Sequence, residues 1–150
     1  MYVLRRYAEA IDAGNKALAI APQRNFPRYF ISHSLILLDR PSEAQAALTK
    51  MPPDDVFRQT DEAILAARGG DRAGAEAGIA KIRGAYADQA SYQYCQIYTQ
   101  LGDADRAFLA VGKAVEAPDP GLLYLKRDPF LDPIRRDPRY ATLLKRLKFP

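Results

Sequence analysis

Residues able to do covalent or metal chemistry are few in this chain. Its 150 residues include one histidine, His33, and one cysteine, Cys95. A zinc site draws three or four ligands from His, Cys and carboxylate, so a His/Cys site is excluded by counting. His33 lies between Ser32 and Ser34 in an apolar run, which points to a core or groove histidine rather than a general base. Cys95 has no second cysteine to pair with, which rules out an internal disulfide and fits a reducing compartment. No serine sits in a strand-to-helix elbow of the hydrolase kind. The stretch Gly69-Gly70-Asp71-Arg72-Ala73-Gly74 is glycine-rich. No strand precedes it and no Gly-Lys-Ser/Thr follows, so it reads as a helix turn and not a phosphate cradle. Asp54, Asp55 and Asp61 could hold a cation, but caps and surface positions are the commoner roles for such residues. The expectation is a non-enzyme without a cofactor or metal.

The elements that would position any site are helical. The composition is 48% hydrophobic, ordinary for a globular domain, and rich in Ala and Leu, which favour helix. The longest apolar run, Tyr29 to Leu38, is too short for the roughly 20 residues that span a bilayer. The start, MYVLRRYAEA, lacks the apolar core and cleavage site of a secretory signal. A cytoplasmic protein without membrane contact is expected. The net charge is +4, and residues 121–150 carry eight Lys/Arg against three Asp. The basic character therefore sits in the tail, where a solvated final helix is the plain reading and nucleic acid is a lesser one.

Offsets of three and four put Tyr7, Ala10, Ile11, Gly14, Ala17 and Leu18 on one helix face, stopped by Pro22. A second helix starts at Asn25 or Pro27 and runs to about Leu38. Its residues 30–38 are apolar on nearly all sides, as in a helix buried by several neighbours. Pro41 opens the next helix, which carries Ala44, Ala47 and Leu48 to Met51. Asp54-Asp55 offers an N-cap for a helix from Val56 to Arg68. Asp71 caps the following one, with Ala75, Ile79 and Ile82 inward. Residues 87–100 make another helix, and Gly102-Asp103 turns the chain into the last regular one. No segment alternates as a strand would.

The alanines after each turn, Ala10, Ala44, Ala75 and Ala107, are separated by 34, 31 and 32 residues. A period near 34 built from two helices is the sign of a helical-hairpin solenoid. Here the chain resembles the tetratricopeptide repeat (TPR) family. The family's first-helix pattern of large, large, small, large stands at Ser91, Tyr94, Cys95 and Tyr98. It stands again at Arg28, Ile31, Ser32 and Leu35, and weakly at Gln59, Glu62, Ala63 and Ala66. Its second-helix pattern stands at Ala10, Gly14, Ala17 and Pro22, and at Ala107, Val111, Ala114 and Pro118. The family's aromatic is missing at Gly14, Leu48, Ile79 and Val111, and the third copy is three residues short. The resemblance covers residues 1–120. It implies an all-α, α-α superhelix of antiparallel helix pairs, closed by a C-terminal helical cap at 121–150.

The tail breaks the period and holds three Asp-Pro pairs, at Asp128, Asp132 and Asp137, each a helix-start signal. Helices are expected at 121–127, near 129–135 and at 138–147. The tail resembles the segment that closes TPR arrays in bacterial multidomain regulators. At the other end the first copy lacks most of its first helix. Either the chain is part of a larger array or a partner, a second copy included, covers that edge.

The resemblance also implies a groove lined by the first helix of each pair. Carried over, its residues are Phe26, Tyr29, His33 and Ile36; then Phe57, Thr60 and Ile64; then Gln89, Tyr92, Gln96 and Thr99. The family's Lys/Asn/Arg clamp for a C-terminal carboxylate is absent. Such a groove suits an extended peptide or helix with apolar anchors. Equally, the tail or a neighbouring copy could fill it. The expected function is a protein-interaction scaffold. The alternative is the regulatory C-terminal part of a transcription regulator or nucleotide cyclase. Nucleic-acid contact through Arg135, Arg136, Arg139, Lys145, Arg146 and Lys148, beside Tyr140 and Phe149, is the weakest reading.

Overall fold

Ala- and Leu-rich stretches punctuated by Asp, Gly and Pro fold as eight α-helices in a computed structural model that describes residues 1–117 and 119–148. The helices are α1 (Tyr7–Ile20), α2 (Asn25–Leu37), α3 (Pro41–Leu48), α4 (Val56–Arg68), α5 (Arg72–Tyr86), α6 (Ser91–Gln100), α7 (Ala104–Glu116) and α8 (Pro138–Arg146). Short 3-10 turns stand at Tyr2–Leu4, Ala87–Ala90, Pro120–Tyr124 and Pro129–Ile134. No strand occurs among the described residues. Pro118 and Phe149, named above for the repeat pattern and the basic tail, lie outside those residues.

Aspartate starts most of these elements. Asp55, Asp71 and Asp103 accept backbone N–H bonds at the N-termini of α4, α5 and α7. Asp119, Asp128 and Asp137 do the same for the two tail turns and α8. Each such cap is worth about 1 kcal/mol. The turn after α4 needs Gly70 at φ 82°, and the turn after α6 needs Gly102 at φ 74°, a region that favours glycine.

Several boundaries differ from the sequence reading, and the helix expected to reach Met51 ends at Leu48. Residues 87–100 are not one helix: a 3-10 turn precedes α6, because Ala87 breaks the ladder at φ 46°. The helix expected at 121–127 is a 3-10 turn at Pro120–Tyr124. Gly121 lies so close to α6 that an added Cβ would stand 2.5 Å from the Tyr92 ring. The segment is pressed flat on α6. The middle turn, Pro129–Ile134, is also 3-10, with Pro133 inside it. Asp132 therefore caps nothing and pairs with Arg5 and Arg135 instead.

Neighbouring helices pack as α1/α2, α2/α3, α4/α5 and α6/α7, and α2, α4 and α6 touch in series. The four periodic alanines are buried where helices cross, Ala44, Ala75 and Ala107 completely. Small residues permit this approach. A Cβ on Gly14 would stand 2.6 Å from Ile31 Cγ1, and one on Gly78 would stand 2.8 Å from Ala63 Cβ. Around these contacts lie Leu48, Ile64, Ile82, Cys95 and Ile97, all without exposure.

The tail adds to the same core. Leu125, Phe130 and Leu131 are fully buried, and the Pro129–Ile134 turn packs on α6. At the other end, α1 keeps Ile20 exposed. An apolar cleft of about 380 Å³ runs along Ala10, Gly14 and Ala17 beside Met1 and Val3.

Candidate functional site

The face of α2 sets the site. Phe26, Tyr29, Phe30 and His33 follow at offsets of three, four and seven, so they share one stripe. The start of α4 brings Val56 and Phe57 beside them. From α6 and the turn before it come Gln89, Ala90, Tyr92, Gln93 and Gln96. The far wall is the tail, Asp119 to Tyr124 with Asp128, and Tyr2 and Tyr86 close the ends. Together they enclose a cleft of about 380 Å³.

Seven of the groove residues read from sequence line this cleft: Phe26, Tyr29, His33, Phe57, Gln89, Tyr92 and Gln96. They divide into rim and floor. Phe26 and Gln89 are exposed, whereas Tyr29, His33, Tyr92 and Gln96 are buried. Thr60, Ile64, Thr99 and Ile36 lie outside the lining, in the packed interior. Thr60 and Thr99 turn their hydroxyls onto the carbonyls of Val56 and Cys95, each at 2.7 Å. Their polar atoms are thereby satisfied within their own helices.

Part of the face is covered by the chain itself. His33 stacks on Tyr2, with ring centroids 5.2 Å apart, and meets Phe130 at 4.7 Å. Asp128 ties the cover down. Its Oδ1 accepts from the Tyr2 hydroxyl at 2.8 Å and the Phe130 N–H at 3.0 Å. Its Oδ2 accepts from the Tyr92 hydroxyl at 2.8 Å and Gln96 Nε2 at 2.7 Å. Burial pushes the Asp128 carboxyl up, against the opposing pull of these four donors. The same burial and the adjoining carboxylate raise the Tyr2 and Tyr92 phenols well above their ordinary range.

Behind the cleft floor, His33 Nε2 stands 3.3 Å from Asp61 Oδ1, both side chains almost without exposure. Burial lowers the imidazole to about 3. It raises the Asp61 carboxyl well above its usual value, with Ser32 partly opposing. Both shifts favour the uncharged forms, a neutral imidazole facing a carboxylic acid. Asp61 is therefore neither a cap nor a surface residue, as the sequence reading had it. Cys95 is likewise buried, its thiol pushed up to about 12, which leaves it inert as a nucleophile.

Sequence reasoning missed Tyr2, Phe30, Tyr86, Asp119, Leu123, Tyr124 and Asp128 as cleft residues. The Asp-Pro pairs signalled helix starts, and nothing local told where the tail would lie. The basic tail is also partly spent. Arg135 bonds Asp132, the Asp128 carbonyl and the Tyr140 hydroxyl, and Arg139 bonds Asp137 and Asp105. Arg136, Lys145, Arg146 and Lys148 stay exposed. No described helix is long and apolar enough to cross a membrane. Comparison with protein-family models, with curated proteins and with solved structures gives no match to this chain.

Proposed function

We propose that this protein is a non-catalytic interaction scaffold of the TPR-like kind, which holds a peptide or a partner's segment in the cleft between α2, α6 and the tail. The observation that carries it is an aromatic cleft whose rim leaves large apolar groups in water. Phe26 is 51% exposed and Leu123 82%, with Tyr124 beside them. Exposed apolar groups around a concave site mark binding surfaces more often than a smooth domain surface does. The serial contact of α2, α4 and α6 and the buried periodic alanines support the superhelical reading.

Panning the chain against displayed random dodecapeptides tests it. Selected peptides should bind a Leu123→Ser variant at least about tenfold more weakly, the loss expected when an apolar contact that the peptide covers is removed. Peptides that bind both proteins equally well would remove the cleft from the function.

A further inference from the structure

The cleft differs in charge from the rest of the molecule. Its lining holds two carboxylates, Asp119 and Asp128, and no lysine or arginine, although the whole chain is +4. Both carboxylates bond to neutral groups. Asp128 takes two phenols, an amide and a backbone N–H. Asp119 takes the backbone N–H groups of Tyr92 and Gly121. Neutral donors orient a carboxylate without cancelling its charge, so the cleft is electrostatically negative.

A second observation is independent of those carboxylates. Gln96 Oε1 is buried without a hydrogen bond, and its side chain lines the cleft. An amide oxygen is an acceptor, so what is unmet there is a donor. The walls supply the third element. Phe57 lies 4.5 Å from Tyr29 and meets Phe26 edge-on at 6.2 Å, by ring centroids. Ring faces carry the negative part of the aromatic quadrupole and attract cations.

We infer that the cleft takes a cationic side chain, the ammonium of a lysine or the guanidinium of an arginine in a partner peptide. Its methylene stem lies along the rings, and its N–H groups face Gln96 and the carboxylates. This rests on the scaffold reading above and specifies the anchor: positive, and not merely apolar.

The test starts from the tightest peptide selected on the chain that Leu123→Ser weakens. Its Lys→norleucine or Arg→citrulline counterpart should bind about 2- to 30-fold more weakly, the span of cation–π contributions from exposed to desolvated sites. A Phe26→Leu/Tyr124→Leu double variant keeps apolar bulk but removes two exposed rings, and circular dichroism confirms its fold. In it the charged-to-neutral ratio should fall toward one. A neutral counterpart that binds equally or better overturns the inference while leaving the scaffold intact. A ratio unchanged in the double variant overturns it too. If n-butylammonium chloride competes at the peptide's own affinity, a free amine is the occupant and the peptide assignment fails. If no selected peptide depends on Leu123, both readings fall together.

Discussion

The helix pairs and the closing segment are held by different physics. Between α1 and α7 the contacts are shape. Small residues lie against neighbouring helices, Gly14 against Ile31 and Gly78 against Ala63, and the alanines Ala44, Ala75 and Ala107 are fully buried. Most of these contacts join helices that follow one another in the chain, α1/α2, α2/α3, α4/α5 and α6/α7, so damage at one of them should stay local. The closure, from Asp119 onward together with the Tyr2–Leu4 turn, is polar and concentrated. One carboxylate, Asp128, receives groups from the N-terminus, from α6 and from its own turn. Arg5 to Asp132 and the Tyr140 hydroxyl to the Leu125 carbonyl reinforce it. A repeated contact can lose one copy. A shared acceptor cannot be lost without stranding every donor it holds.

The largest expected effect breaks the closure at that point. Asp128→Ala should cost about 3–5 kcal/mol, because buried donors are left without an acceptor. Hydrogen exchange should then accelerate in residues 119–148 and the first turn before it does in α4 and α5. Tyr2→Phe removes one donor and its need together, so its cost should be about 1 kcal/mol. A urea midpoint shift as small for Asp128→Ala as for Tyr2→Phe would show that the closure is held by Phe130 and its apolar neighbours, and would erase the contrast.

The buried His33–Asp61 pair sharpens the comparison, since it lies where helix face and closure meet. His33 titrates lower in the fold than its ordinary 6.5, so its contribution is present above that pH and is lost as pH falls toward about 3. Asp61 titrates higher than its ordinary 3.8, so its contribution is present below 3.8 and is lost as pH rises through the folded value. As pH falls below 6.5 the unfolded His33 takes up a proton that the folded imidazole does not, whereas a raised Asp61 holds in the fold a proton that its unfolded form has lost, so the two slopes oppose one another. Asp61→Asn removes one of them. The variant should lose about 1.4 kcal/mol per pH unit as pH drops from 6.5 toward 4, and the wild type less. Urea unfolding at pH 7, 6, 5 and 4 reads the difference. Parallel curves would mean that Asp61 holds no extra proton in the fold, and a variant curve without slope would mean that the imidazole stays charged there.

How much of this was legible in sequence follows the same divide. The period of Ala10, Ala44, Ala75 and Ala107 and the Asp caps located the helices, because both signals act within a few residues. The floor of the cleft followed from the resemblance to the TPR pattern, which set the inward residues of α2 and α6. The tail's position did not, since Tyr2 and Asp128 are 126 residues apart and no spacing rule joins them. Asp61 was readable and was missed. It lies four residues after Phe57 and three before Ile64, on the stripe already taken as inward, and that placement buries a carboxylate. Thr60, Ile64 and Thr99 erred in the other direction. They are on the inward stripe but behind the cleft, because α2, α4 and α6 sit too close for a groove to continue between them.

The smallest effects test the shape half of the comparison with one methyl group. Gly78 and Gly112 both sit inside helices, α5 and α7, and alanine is the better helix former by up to about 1 kcal/mol. At Gly112 an added Cβ meets nothing within 4 Å, so Gly112→Ala should stabilise by about 0.5–1 kcal/mol. At Gly78 the same methyl stands 2.8 Å from Ala63 Cβ, which has no rotamer to move. The helices must separate, at about 1–3 kcal/mol, and this outweighs the propensity gain. Gly78→Ala should therefore destabilise, with faster hydrogen exchange confined to α4 and α5. If both alanines stabilise alike, the α4/α5 crossing has slack, and close approach is not what the small residues provide there.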